Sequence, residues 1–170
     1  MNIPFSPPDI TQAEIDEVVE VLKTGWITIG PKTKLFEQKI AKMCNTQKAV
    51  CLSSQTSCAE MTLRILGIGP GDEVIVPSYT YTASASIIYH VGATPVLIDC
   101  KKGSYEMDYE KMEEAINEKT KAIIAVDLAG IVCAYDKIFA AVERKRSLFK
   151  PSDNPIQLAL GRVIVLSSTR

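Results

Sequence analysis

The sequence predicts an α/β fold in three layers, α/β/α, built around a mostly parallel sheet. Three observations carry that expectation. Candidate strands alternate with candidate helices along the chain. The candidate strands Glu73–Pro77, Thr94–Asp99, Ala122–Val126 and Val163–Leu166 are near-continuous apolar runs, the pattern of strands covered on both faces. Small, polar or aromatic residues follow the carboxyl ends of these runs, where ligands bind in such folds. A length of 170 residues with 46% apolar content supports one sizeable core.

The first element is a helix over Thr11–Lys23. Thr11 followed by Glu14 is a capping box, Ile15, Val18, Val19 and Leu22 form one apolar stripe, and Gly25 ends it. Trp26-Ile27-Thr28-Ile29-Gly30-Pro31 is a non-periodic loop holding the only tryptophan. That ring is either a structural plug or a ligand or subunit contact. Leu35, Phe36, Ile40 and Met43 mark a second helix ending near Asn45.

The stretch around which the rest is organised is Lys48–Glu73. Ala49–Leu52 is an apolar run suited to a buried strand, and Ser53, Ser54, Gln55, Thr56 and Ser57 form a polar turn. Met61, Leu63, Ile65 and Leu66 then recur at helical spacing until Gly67. The first turn of such a helix carries unpaired N–H groups and the positive end of the macrodipole. Thr56 and Ser57 there read as a phosphate cradle, or as the cap of the helix.

Gly69-Pro70-Gly71-Asp72 is a tight turn before the strand Glu73–Pro77. Tyr79–Thr82 lies at that strand's carboxyl end, and Ala83–Tyr89 is a helix of small residues. After the strand Thr94–Asp99, Asp108 caps a helix with Met112, Ala115 and Ile116 facing inward. Ala122–Val126 is a strand with Asp127 at its carboxyl end, Asp136 opens a helix, and Ile156–Leu160 is a short helical piece before the last strand.

Several function classes are disfavoured. A net charge of -1 without a basic stripe argues against nucleic acid as a partner. No run of about twenty apolar residues is present to span a membrane, and no signal peptide is recognisable. The five cysteines are scattered, odd in number and without a CxxC pair, which fits reduced thiols in a cytoplasmic protein. His90 is the only histidine and supplies no metal site by itself. Gly67–Gly71 precedes a strand rather than following one, so it is no dinucleotide fingerprint, and there is no P-loop. A nicotinamide-dependent oxidoreductase is disfavoured on that ground.

The linear order of the motifs resembles the DegT/DnrJ/StrS family of pyridoxal-phosphate (PLP) sugar aminotransferases. The stretches that carry the resemblance are Gly25–Thr28 with Gly30-Pro31, Phe36-Glu37 and Thr56, then Leu66–Ala85, Gly92–Asp99, Ala122–Gly130 and Tyr135-Asp136. The resemblance implies the large domain of a fold-type I PLP transferase that works as a homodimer. It implies PLP, with pyridoxamine phosphate (PMP) as its aminated form, glutamate as amino donor and a nucleotide-linked keto-sugar as acceptor, in amino-sugar or cell-surface polysaccharide biosynthesis. By position, Thr56 and Ser57 would hold the cofactor phosphate and Tyr81 would stack on its ring. Trp26 and Thr28 would line the sugar side. Asp127 would orient the substrate site or only cap a turn.

The chain departs from the family in two ways. Gln55-Thr56-Ser57 stands where the family usually has Gly-Thr-Ala. The pyridinium-pairing aspartate is expected near Ser168, where the chain reads Ser167-Ser168-Thr169-Arg170, and no Schiff-base lysine follows Lys150. The expectation is therefore an N-terminal piece of the large domain, residues 1–170, with no catalytic residue of its own and inactive alone. The competing reading is a non-catalytic binding or assembly module that keeps the fold.

Overall fold

The computed structural model describes residues 7–169 and divides between Cys51 and Leu52 into two compact units. In the first unit, helix α1 (Gln12–Thr24) begins with the expected capping box. The Glu14 carboxylate accepts the Thr11 N–H at 2.7 Å, and the Thr11 hydroxyl oxygen accepts in return from the first turn. Gly25 closes the helix at φ 72°, a left-handed conformation that glycine adopts without a Cβ penalty. Helix α2 (Pro31–Met43) starts with proline, whose missing N–H is no loss at that position.

Ala49–Leu52 does not form the expected strand: the sheet's members all lie beyond it, and Val50 is exposed. Apolar character alone does not make a strand, because the extended backbone must find a paired neighbour. Among the described strands none pairs with this run.

The second unit is a four-stranded, wholly parallel sheet in the order β2-β1-β3-β4. Its strands are β1 (Glu73–Pro77), β2 (Thr94–Ile98), β3 (Thr120–Asp127) and β4 (Ile164–Thr169). Helix α3 (Gln55–Ile65) precedes β1, and α4 (Ala83–His90) and α5 (Tyr109–Ala115) cross to β2 and β3. Helices α6 (Tyr135–Arg144) and α7 (Pro155–Leu160) lead to β4. Period-two alternation splits the strands between two cores. Val74, Val76, Ile124 and Val126 pack with Leu63 of α3 and Ile87 and Ile88 of α4. Ile75, Ile123 and Ala125 pack on the other face with Met112, Ile138 and Val142 of α5 and α6. This is the three-layer α/β/α arrangement that the apolar strands predict.

Two strands run further than their apolar runs. β3 begins at Thr120, and the buried Lys121 that follows donates from Nζ to the Lys150 carbonyl at 2.6 Å and the Glu118 carbonyl at 3.3 Å. Those bonds make burial of a cation tolerable. β4 continues through Ser167 and Ser168, which pair with Ala125 and Val126, so the backbone ladder carries polar residues to the carboxyl edge. Among the described residues no helix is long and apolar enough to cross a membrane.

Candidate functional site

Helix α3 sits with its first residue at the carboxyl edge of the sheet. At that end the Gln55 Nε2 donates to Ser168 Oγ, near the end of β4, at 2.8 Å. At the other end Asn154 Nδ2 donates to the Ile65 carbonyl at 2.9 Å and Gln157 Nε2 to the Leu66 carbonyl at 2.7 Å. Helix α4 leaves the carboxyl end of β1 and returns to the start of β2, so its N-terminus faces the same edge. Both helices pack on the same face of the sheet.

The polar run before α3 is ordered by its own hydroxyls. Ser54, in extended conformation, is the N-cap and accepts the Ser57 N–H at 3.1 Å. The Ser57 hydroxyl lies 3.0 Å from that of Ser54 and 3.1 Å from that of Ser53. Thr56 and Ser57 are therefore inside the first turn, and the cap is Ser54, two positions before Thr56. This edge collects hydroxyl groups and helix N–H groups over an 11-residue helix, a donor set that suits a phosphate ester. Tyr81 lies just before α4 and is 67% exposed. Tyr79, two residues earlier, is stacked on Tyr105 with ring centroids 5.3 Å apart.

Asp127 shares the edge but belongs to the opposite face. Its carboxylate accepts the Cys133 N–H at 2.9 Å, lies 3.1 Å from the Tyr135 hydroxyl at both oxygens, and accepts from Ser167 at 3.3 Å. Tyr135 and Ser167 are joined at 2.6 Å. Burial pushes the Asp127 carboxyl up, but these bonds outweigh it and hold the group below the ordinary aspartate range. Burial pushes the Cys133 thiol up to about 11, with Asp127 adding to it, and pushes the Tyr135 phenol up as well. The carboxylate thus fixes the sharp turn after β3, where Ala129 takes φ 52°.

Trp26 and Thr28 lie in the first unit. The Trp26 indole Nε1–H donates to the Ile29 carbonyl at 2.9 Å, folding the ring against Gly30. The two residues line a hollow of about 350 Å³ with Gly30, Lys32 and Glu20. The Lys32 ammonium is 2.6 Å from Glu17 and 3.0 Å from Glu20. The pairs Gln55–Ser168 and Tyr135–Asp127 were invisible in the sequence as pairs. Tyr135 was at least marked by the Tyr135-Asp136 motif, whereas Ser168 stood out only as a departure.

Comparison with known proteins places this geometry. The model of the DegT/DnrJ/EryC1/StrS aminotransferase family matches residues 8–149. The spore coat polysaccharide biosynthesis protein SpsC of Bacillus subtilis (strain 168) is 39% identical over 151 residues, covering 89% of this chain and 39% of that protein. Spr1654 of Streptococcus pneumoniae, assigned as a sugar aminotransferase and solved in apo, PMP and PLP forms, is 57% identical with a TM-score of 0.95. That match covers 98% of this chain and 42% of Spr1654. An aminotransferase from Psychrobacter cryohalolentis is 35% identical over 83% of this chain and 36% of its own, with a TM-score of 0.78. The chain therefore spans about two fifths of the length of the first two relatives.

Proposed function

The chain belongs to the DegT/DnrJ/EryC1/StrS aminotransferase family, and from that premise we propose that it forms the phosphate-anchoring part of a PLP-dependent sugar aminotransferase. Residues 1–170 are read as the N-terminal part of the large domain. The whole enzyme, a cytoplasmic homodimer, would move an amino group from glutamate to a nucleotide-linked keto-sugar destined for polysaccharide or amino-sugar synthesis.

The observation that carries this reading is the N-terminus of α3, capped by Ser54 and set at the carboxyl edge of a parallel sheet. Thr56, Ser57 and the first-turn N–H groups would hold the phosphate, where the helix dipole favours an anion. Tyr81 would cover the ring from the α4 side. Trp26 and Thr28 would contact the sugar. Asp127 would act on the substrate side by holding the turn after β3 through Cys133 and Tyr135. When bound, the cofactor supplies the group that carries the amine and accepts electron density. This segment contributes binding and orientation.

The test is equilibrium dialysis of the chain against PMP and against unphosphorylated pyridoxamine. PMP should bind at least tenfold more tightly, and Ser57→Val should erase most of that difference, because a helix N-terminus and its hydroxyls act on the phosphate alone. Equal binding of the two compounds, or tight binding of NAD instead, would remove the reading.

A further inference from the structure

Helix α4 buries Ser84, Ile87 and Ile88. These positions share one helical face, and the first of them is a serine where an apolar residue would be buried at no polar cost. Ser84 is 3% exposed. Its hydroxyl lies 3.2 Å from that of Thr80, and its main-chain N–H donates to the Tyr81 carbonyl at 3.0 Å. One buried residue thus holds two consecutive ones, Thr80 through its side chain and Tyr81 through the main chain. The same segment is fixed at its start, where the Ser78 N–H donates to the Ile98 carbonyl at 2.8 Å and the Ser78 hydroxyl to Asp99 at 3.3 Å. Tyr81 itself is mostly exposed, so burial does little to place it.

We propose that Ser84 is a positioning residue: through its bond to Thr80 it sets the turn that presents Tyr81 to a phosphate-anchored pyridine ligand. The proposal rests on the readings of α3 and Tyr81 given above. An exposed aromatic side chain on a loose turn loses conformational freedom when a ligand stacks on it. A turn already held at Ser78 and at Ser84 has lost part of that freedom beforehand, so more of the stacking energy appears as affinity. Ser84 is buried and acts only through Thr80 and Tyr81. Ser84→Ala removes the hydroxyl and keeps both the helix and the N–H bond to Tyr81. Thr80→Val removes the other hydroxyl at nearly constant shape, and Thr80→Ser retains it.

The experiment measures PMP binding to the full 170-residue chain by equilibrium dialysis, with the induced circular dichroism of the bound pyridine as a second readout. Tyr81→Ala should weaken PMP by about tenfold, and Ser84→Ala and Thr80→Val by about threefold each. Thr80→Ser should bind as wild type does. In the Tyr81→Ala background, Ser84→Ala should have no further effect on affinity, and it should alter the induced signal only where Tyr81 is present. Losses from Ser84→Ala and Tyr81→Ala that multiply would mean general damage to the fold and overturn the assignment, with the reading of Tyr81 left standing. So would a Ser84→Ala variant that binds as tightly as wild type, or a Thr80→Ser variant as weak as Thr80→Val. A Tyr81→Ala variant with wild-type affinity removes the reading of Tyr81 and this one with it. Failure of PMP to bind the wild type at all overturns the phosphate reading as well.

Discussion

The side-chain amide of Gln157 donates to the main-chain carbonyl of Leu66 across 2.7 Å, tying α7 to the end of α3. The Gln157 side chain is fully buried, and its Oε1 also accepts the Ser152 N–H at 3.0 Å. Asn154 does the same for the preceding carbonyl, that of Ile65. The last carbonyls of a helix have no partner within it, so two side chains from beyond β3 complete α3. The helix proposed to anchor a phosphate is thus held at both ends by residues between 154 and 168.

Gln157→Ala should destabilise the second unit by about 2–6 kcal/mol, because it leaves the buried Leu66 carbonyl and the half-buried Ser152 N–H unsatisfied at about 1–3 kcal/mol each. Urea unfolding followed by far-UV circular dichroism measures it. A midpoint equal to wild type would mean that water replaces the amide.

Asp127 should give the fold an acid-sensitive limb. Its folded pKa lies below the ordinary value, because the bonds from Cys133, Tyr135 and Ser167 outweigh burial. Its contribution is therefore present above the unfolded pKa, about 3.9, and is lost as pH falls through the lower folded value. Urea midpoints between pH 7 and pH 3 should drop in wild type more steeply than in Asp127→Asn. Parallel curves would exclude Asp127 as the source.

Cys133 should be the slowest of the five thiols to react. Its pKa of about 11, set by burial and then by Asp127, leaves about a hundredfold less thiolate near pH 8 than an ordinary cysteine has. Cys44, which is exposed, should react early. Mass-resolved alkylation gives the order, and early modification of Cys133 in the folded chain would contradict the environment described.

Gly30→Ala should move the only tryptophan. A Cβ at residue 30 would stand 2.5 Å from Trp26 Cδ1, closer than carbon atoms approach, so the indole must leave Gly30 and its bond to the Ile29 carbonyl must stretch. The intrinsic fluorescence, which comes from one indole, should change in position and intensity. An unchanged spectrum would mean that the backbone yields instead of the ring.

What the sequence determined by itself is whatever depends on neighbours a few positions away. The capping box of Thr11 and Glu14, the left-handed Gly25, the Asp108 cap and the strands β1 and β2 follow from contacts or burial patterns within one element. So does the parallel, doubly covered sheet, because strands covered on both faces read as near-continuous apolar runs. The family was equally legible, since Leu66–Ala85 and Ala122–Gly130 are contiguous words.

The tertiary structure decided what depends on partners far away in the chain. Ala49–Leu52 has a strand's composition but no paired neighbour among the described strands. The α3 cap fell to Ser54 because the Ser57 N–H points to that oxygen, a choice among consecutive hydroxyls that composition does not make. Gln55–Ser168, Gln157–Leu66 and Tyr135–Asp127–Ser167 mostly join residues from separate elements, so only the folded sheet brings them within bonding distance. Hydrogen bonds act over about 3 Å of space and are indifferent to distance along the chain. That is why the polar end of this site is written in the fold and only hinted at in the letters.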